Sequence, residues 1–278
     1  KRFGSAQDEM RAMQEGALQG AGFTMDEAVT LNESGYPVKI VLIIDYSMGG
    51  DMVIGKRDVK SIRALKGKRV GYEGSVVGEF LLSQALAANY IKERDVEFIE
   101  VRAENWLSAF KGNTIDALVC FNPVATILLN EEGGNLLFSS KDIPYRIIDV
   151  LIFSESFYNE NRGVILKIAR TWFDALEYMG GHLEEAAEII SSQKNITPAE
   201  YKQGLKGLVA PGINANKAVF DPESVENIYK YSQSIIDFML ANGLISRRIN
   251  TDDFFEPSIL NEFDYDLDNP KSQHGGQK

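Results

Sequence analysis

Hydrophobic and polar positions change period several times along the chain, and each change marks an element. Met10 and Met13 recur at helical spacing through a polar stretch, residues 6–15, that stops at Gly16. Residues 20–24 form a small-residue strand. Thr24, followed by Asp26 and Glu27, reads as the N-cap and acidic first turn of a helix over 25–34. Residues 38–44 are a nearly continuous apolar, β-branched run, the pattern of a strand buried on both faces in a parallel sheet. Short apolar strands at 69–72, 96–101, 115–120 and 136–138 then alternate with helical patterns at 76–88, 106–111 and 123–130. That alternation predicts βαβ units around a mainly parallel sheet. One more strand is expected over 146–153. After it the chain reads as helical to Phe254, with helices at 160–179, 182–192, 198–207 and 222–242 and no further strand.

This order predicts two lobes. A complete α/β unit sits between two long apolar strands, and the helical C-terminal part has no sheet of its own to cover, so it is expected to pack on the first segment. The chain then crosses between lobes twice, near residues 49–57 and 142–149, and a cleft between lobes is a favoured small-ligand site. Expected boundaries are 1–52 with 148–263 for lobe 1 and 53–147 for lobe 2. A disordered tail is expected at 264–278.

Composition narrows the function classes. The 278 residues carry 40 acidic against 29 basic side chains, a net charge of −11, so the usual electrostatic footprint of phosphate-backbone binding is missing and no nucleic-acid partner is expected. A single cysteine, Cys120, excludes a disulfide framework, a CxxC pair and a Cys-ligated zinc site. With only His182 and His274, neither an HExxH site nor a three-histidine site can form, and no metal is expected. No apolar run approaches the roughly 20 residues that cross a bilayer. The N-terminus, Lys1-Arg2-Phe3-Gly4, carries no apolar leader, so a secretion signal is absent or already removed.

Several local patterns carry candidate chemistry. Residues 50–57 have phosphate-loop spacing, but Arg57 stands where Ser or Thr must hold magnesium, and Met52-Val53-Ile54 reads as strand. Glycines at 71, 74 and 78 surround Ser75 in a strand-to-helix turn whose N–H groups suit an anionic or polar ligand group. Phe121-Asn122-Pro123 repeats that architecture. Three such turns, at Thr24, Ser75 and Asn122, lie at the carboxyl ends of strands, where α/β sheets bind ligands. Ser47, with Asp45 and Asp149, would need His182 to make a catalytic triad, and none of these motifs has a histidine near it. Trp106 and Trp172 sit on helical patterns and read as core.

The runs Lys39-Ile40-Val41-Leu42-Ile43-Ile44-Asp45-Tyr46-Ser47-Met48-Gly49-Gly50-Asp51, Ile62-Arg63-Ala64-Leu65-Lys66-Gly67-Lys68-Arg69-Val70-Gly71 and Ala109-Phe110-Lys111-Gly112-Asn113-Thr114-Ile115-Asp116-Ala117 resemble the nitrate/sulfonate/taurine-type solute-binding proteins of ABC importers. Phe121-Asn122-Pro123, Phe138-Ser139-Ser140-Lys141-Asp142-Ile143-Pro144 and Ala169-Arg170-Thr171-Trp172-Phe173-Asp174-Ala175-Leu176 add to the likeness, which runs from about Phe3 to Phe263. The resemblance implies a type II periplasmic-binding-protein fold in which two α/β lobes close on a solute. It implies a periplasmic or extracellular monomer, associated with the membrane through a permease and using no cofactor. The family's ligand contacts map onto Thr24, Ser47, Glu73, Ser75, Val76, Asn122 and Asp149. Acidic groups crowd these turns without Arg or Lys beside them, so the expected solute carries a cationic or hydrogen-bond-donating group. The family's opening strand-helix-strand has no counterpart before Phe3, and a preceding segment is expected. Alternatives are an enzyme on the same fold, such as a pyrimidine-precursor synthase with Cys120 as its one candidate nucleophile, and a sensory ligand-binding module.

Overall fold

The computed structural model describes residues 3, 6–194, 196–225 and 227–263. In chain order its elements are α1 (Ala6–Gln14), β1 (Gly20–Thr24), α2 (Met25–Glu33), β2 (Val38–Ser47), β3 (Asp51–Gly55), β4 (Arg69–Tyr72), α3 (Val76–Ala88), β5 (Glu97–Glu100), α4 (Trp106–Lys111), β6 (Ala117–Phe121), α5 (Val124–Asn130), β7 (Asn135–Ser139), β8 (Ile148–Ser154), α6 (Glu155–Glu160), α7 (Arg162–Gly181), α8 (Leu183–Lys194), α9 (Pro198–Leu205), β9 (Leu208–Val209), α10 (Ile213–Val219), α11 (Ile228–Ala241) and α12 (Ser258–Asn261). The expected helix over 160–179 is α7, shifted two residues along the chain, and Asn161, with φ −127° and ψ 31°, separates it from the unexpected short helix α6 before it. Four elements, α6, β9, α10 and α12, have no counterpart in the sequence reading.

The described chain forms two compact units. The first comprises the described residues up to 45, those of 148–182 and those of 210–263, the second the described residues of 46–147 and 183–209. In the first, the strands run β1-β8-β2, with β1 antiparallel to β8 so that Thr24 lies opposite Asp149. Val38, Ile40, Val41, Leu42 and Ile43 are all buried, which explains why β2 reads as a continuous rather than an alternating apolar run. Asn216 of α10 is wholly buried against the backbone of β2: its Oδ1 accepts from the Ile43 N–H at 2.7 Å, and its Nδ2 donates to the carbonyls of Ile43 at 3.2 Å and Pro211 at 2.8 Å.

In the second unit a five-stranded sheet has the order β5-β4-β6-β3-β7. The crossovers through α3, α4 and α5 keep β4, β5, β6 and β7 running one way, because a parallel connection needs a helix-length return. β3 precedes all of them and inserts antiparallel between β6 and β7. The sheet is therefore mixed where a mainly parallel one was expected, and residues 51–55 are a central strand, not a phosphate cradle. Ile54, Trp106, Phe110, Ile115, Leu118, Cys120, Ala125 and Leu128 pack together on it as a core cluster.

Residues 46–52 and 183–209 belong to the second unit, whereas the sequence reading puts both with lobe 1. The attachment is specific. The end of β2 pairs with β9, Tyr46 opposite Val209 and Ser47 opposite Leu208, and the Met48 N–H donates to the Gly207 carbonyl at 2.6 Å. Gly207 has φ +90°, and a Cβ there would stand 2.6 Å from the carbonyl carbon of Gly49, so the two turns cross at a distance only glycine permits. The chain passes between units at 45/46, 147/148, 182/183 and 209/210, four times in place of the expected two. The expected tail at 264–278 lies outside the described residues.

Candidate functional site

Because β4, β5, β6 and β7 end where β3 begins, five of the seven expected contact residues gather along one edge of the second unit's sheet. Glu73 follows β4 directly. Ser75 caps α3 with its hydroxyl accepting from the Gly78 N–H at 3.2 Å, and Val76 opens the helix. The N–H groups of Val76 and Val77, in the first turn, have no intrahelical acceptor and lie at the positive end of a 13-residue helix. Asn122 follows β6, and its peptide bond to Pro123 is cis. Asp51, at the start of β3, lies opposite Phe121.

Ser47 reaches this edge differently. Its side chain is buried, with Oγ 2.7 Å from Ser140 Oγ and accepting from the Asp51 N–H at 3.1 Å, while Ser140 Oγ also accepts from the Gly49 N–H at 2.7 Å. The serine pair thus holds the β2–β3 turn. Ser140 and Asp51 were not legible as site neighbours; the Ser139-Ser140 pair ending an apolar strand was the available signal.

The electrostatics of this edge are acidic. Burial raises the pKa of Glu73 and the nearby Glu104 carboxylate raises it further; burial and then Glu93 do the same to Glu79. Asp51 is also pushed up by burial, with a hydrogen bond from Ser47 pulling the other way. Phe121 is exposed at the end of β6, its ring edge-on to Trp106 with centroids 5.0 Å apart. Trp106 itself is core, its indole N–H donating to the Val101 carbonyl at 2.9 Å, while Trp172 is only half-buried.

The other two expected contacts, Thr24 and Asp149, face each other in the first unit. Thr24 caps α2, and its N–H donates to Glu27 Oε2 at 3.0 Å, the return half of a capping box. Asp26, in the first turn, is buried, and desolvation with the adjacent Glu27 pushes its carboxyl up to about 7. Among the described residues no group of three or more His, Cys, Asp and Glu side chains is arranged to hold a metal ion, and no helix is long and apolar enough to cross a membrane.

Comparison with known proteins places this geometry. A "Putative aliphatic sulfonates-binding protein" of Bacillus subtilis (strain 168) is 22% identical over 211 residues, 76% of this chain and 61% of that protein. A "Putative binding protein" of Brucella abortus (strain 2308) is 32% identical over 205 residues, 71% of this chain and 62% of the relative. The chain thus spans about three fifths of the length of the curated relatives it matches. Among solved structures, the alkanesulfonate-binding protein SsuA from Xanthomonas axonopodis pv. citri bound to MOPS superposes with a TM-score of 0.72 at 15% identity, covering 92% of this chain and 86% of that one. A mutant of the desulfurization enzyme DszB in complex with biphenyl-2-sulfinic acid superposes at 0.66 and 14% identity, covering 93% and 88%. The chain therefore has the type II fold of the periplasmic binding proteins, a fold shared with at least one enzyme. The profile of the family described as NMT1/THI5 like matches residues 4–186, and with two thirds of the chain inside that match, this protein belongs to the NMT1/THI5-like family.

Proposed function

We propose that the chain is the solute-binding component of an ABC importer, capturing a small polar organic solute in an interlobe cleft and handing it to a membrane permease. The observation that carries this reading is the meeting, on one sheet edge, of the α3 N-terminus at Ser75 and Val76, the amide of Asn122 and the carboxylate of Glu73. Helix N–H groups and an amide are donors that suit a sulfonate-like oxyanion. Glu73, held near Glu104 with its pKa raised, gains from a neighbouring ammonium group. Together they favour an organic solute with both an oxygen-rich end and an amino end over a bare anion such as nitrate. Thr24 and Asp149 are part of the same proposal as contacts from the first unit. The working compartment in this reading is periplasmic or extracellular.

Calorimetric titration with 2-aminoethanesulfonate, ethanesulfonate and nitrate tests it. Tightest binding is expected for the aminosulfonate, weaker binding for ethanesulfonate and none for nitrate; nitrate binding tightest would overturn the assignment of solute class. Stimulation of ATP hydrolysis by the cognate permease complex in vesicles, only when solute-loaded protein is added, is the expected partner readout. Catalysis by Cys120 is disfavoured by its surroundings. The thiol is packed in the core cluster, and burial, then the Asp51 carboxylate, push its pKa upward, away from the thiolate a nucleophile needs.

A further inference from the structure

Asn122 is tied to a part of the chain outside the family match, which ends at residue 186. Its Oδ1 accepts from the hydroxyl of Thr126, one helical turn on in α5, at 2.7 Å, and its Nδ2 donates to the main-chain carbonyl of Gln203 in α9 at 3.2 Å. The Gln203 side chain closes the ring, Nε2 donating to Thr126 Oγ1 at 3.0 Å. The sense of this network is not interchangeable. A peptide carbonyl can only accept, so turning the Asn122 amide over would set Oδ1 against the Gln203 oxygen and lose a hydrogen bond to mutual repulsion. The Thr126 hydroxyl, already accepting from Gln203, has its one proton free to give to Oδ1.

We propose that Thr126 and Gln203 are positioning residues that lock the Asn122 amide with its nitrogen committed as a donor, so that the second Nδ2–H is offered to an acceptor oxygen of the solute. The inference rests on the reading of Asn122 as a solute contact and adds what selects the solute's polarity there. It also gives α9 a role in recognition: the helix holds the amide from a position 81 residues further along the chain. A solute oxygen bearing negative charge is favoured at this position, where the amide presents an N–H.

The test is titration of the full chain with MOPS and with ethanesulfonate, for wild type, Thr126→Val, Thr126→Ser, Asn122→Ala and the double variant Thr126→Val/Asn122→Ala. Thr126→Val is expected to weaken binding by about threefold to about tenfold, the range of one neutral hydrogen bond. Thr126→Ser, which keeps the hydroxyl, is expected to stay within about twofold of wild type on the same scale. The double variant is expected to bind no more weakly than Asn122→Ala alone, since a residue acting through Asn122 has nothing left to position. A purely structural Thr126 would instead give additive losses, and additivity or a wild-type affinity for Thr126→Val overturns the proposal. Should Thr126→Val not fold, Gln203→Leu removes the donor to the hydroxyl while keeping the main-chain carbonyl and reads the same coupling. If Asn122→Ala leaves sulfonate affinity intact while Glu73→Ala or Ser75→Ala lowers it, this inference fails and the proposed function stands. If neither sulfonate binds wild type, this inference fails, and the titration with 2-aminoethanesulfonate still decides the proposed function.

Discussion

Asp26 shows how a single buried carboxyl writes a pH dependence into the fold. It is 5% exposed, and burial, with Glu27 next to it, lifts its pKa from 3.8 to about 7, against a smaller opposing hydrogen bond from Thr24. Between these two values the unfolded chain, with its ordinary carboxyl, holds fewer protons than the folded one, so stability falls as pH rises from about 4 to about 7. Replacing it by Asn removes the charge that must be buried at higher pH. Asp26→Asn is therefore expected to melt higher than wild type near pH 8 and much as wild type near pH 4. Circular-dichroism melts across that range check it, and an Asn variant that melts lower at every pH would mean that the carboxylate itself is needed. The sequence marks Asp26 only as a first-turn acid; its burial comes from the packing of β1 and α2, which no local pattern reports.

At the scale of elements, two attachments of the C-terminal half are written in single residues. Asn216 makes three hydrogen bonds, all shielded from water; two tie α10 to Ile43 of β2 and the third holds the Pro211 carbonyl ahead of the helix. Asn216→Leu strands the Ile43 N–H and carbonyl, at about 1–3 kcal/mol for each buried unsatisfied group, so a loss of about 3 kcal/mol is expected in urea denaturation. A loss under about 1 kcal/mol would mean that water or a shifted side chain takes over these bonds. Gly207 does the equivalent job for α9 and β9. Its φ of +90° and the 2.6 Å approach to Gly49 make Gly207→Ala costly twice over, by backbone strain of about 1–2 kcal/mol and by a contact that must open. The same denaturation experiment reads it, and a neutral alanine would show that the crossing relaxes freely. The sequence reading passes over both elements for one reason: α10 is a seven-residue helix and β9 a two-residue strand, and their stability comes from partners about 170 residues away.

For the whole molecule, a solute that binds only the folded chain adds to its stability by mass action. At a hundredfold excess over the dissociation constant the gain is about 2.7 kcal/mol, which appears as a rise of several degrees in the melting temperature. The rise is expected with 2-aminoethanesulfonate and not with nitrate, and a thermal-shift series at fixed ionic strength distinguishes it from the general effect of salt on a chain of net charge −11. A rise of equal size with every anion would point to nonspecific screening.

What the sequence determined by itself is the set of elements whose signal is local. Residues 20–24, 69–72, 76–88 and 106–111 form the elements expected of them to the residue, because period, caps and glycine stops all lie inside each segment. The strand-to-helix turns at Thr24, Ser75 and Asn122 and the family resemblance were legible for the same reason. Tertiary structure decided the rest. Whether β3 enters its sheet parallel or antiparallel, and which unit residues 183–209 join, depends on pairings between distant segments: Asp51 with Phe121, Ser47 with Leu208, Asn122 with Gln203. Hydrophobic period tells a strand which face to bury but not which neighbour to take, and a hydrogen bond across 81 residues leaves no trace in either segment alone.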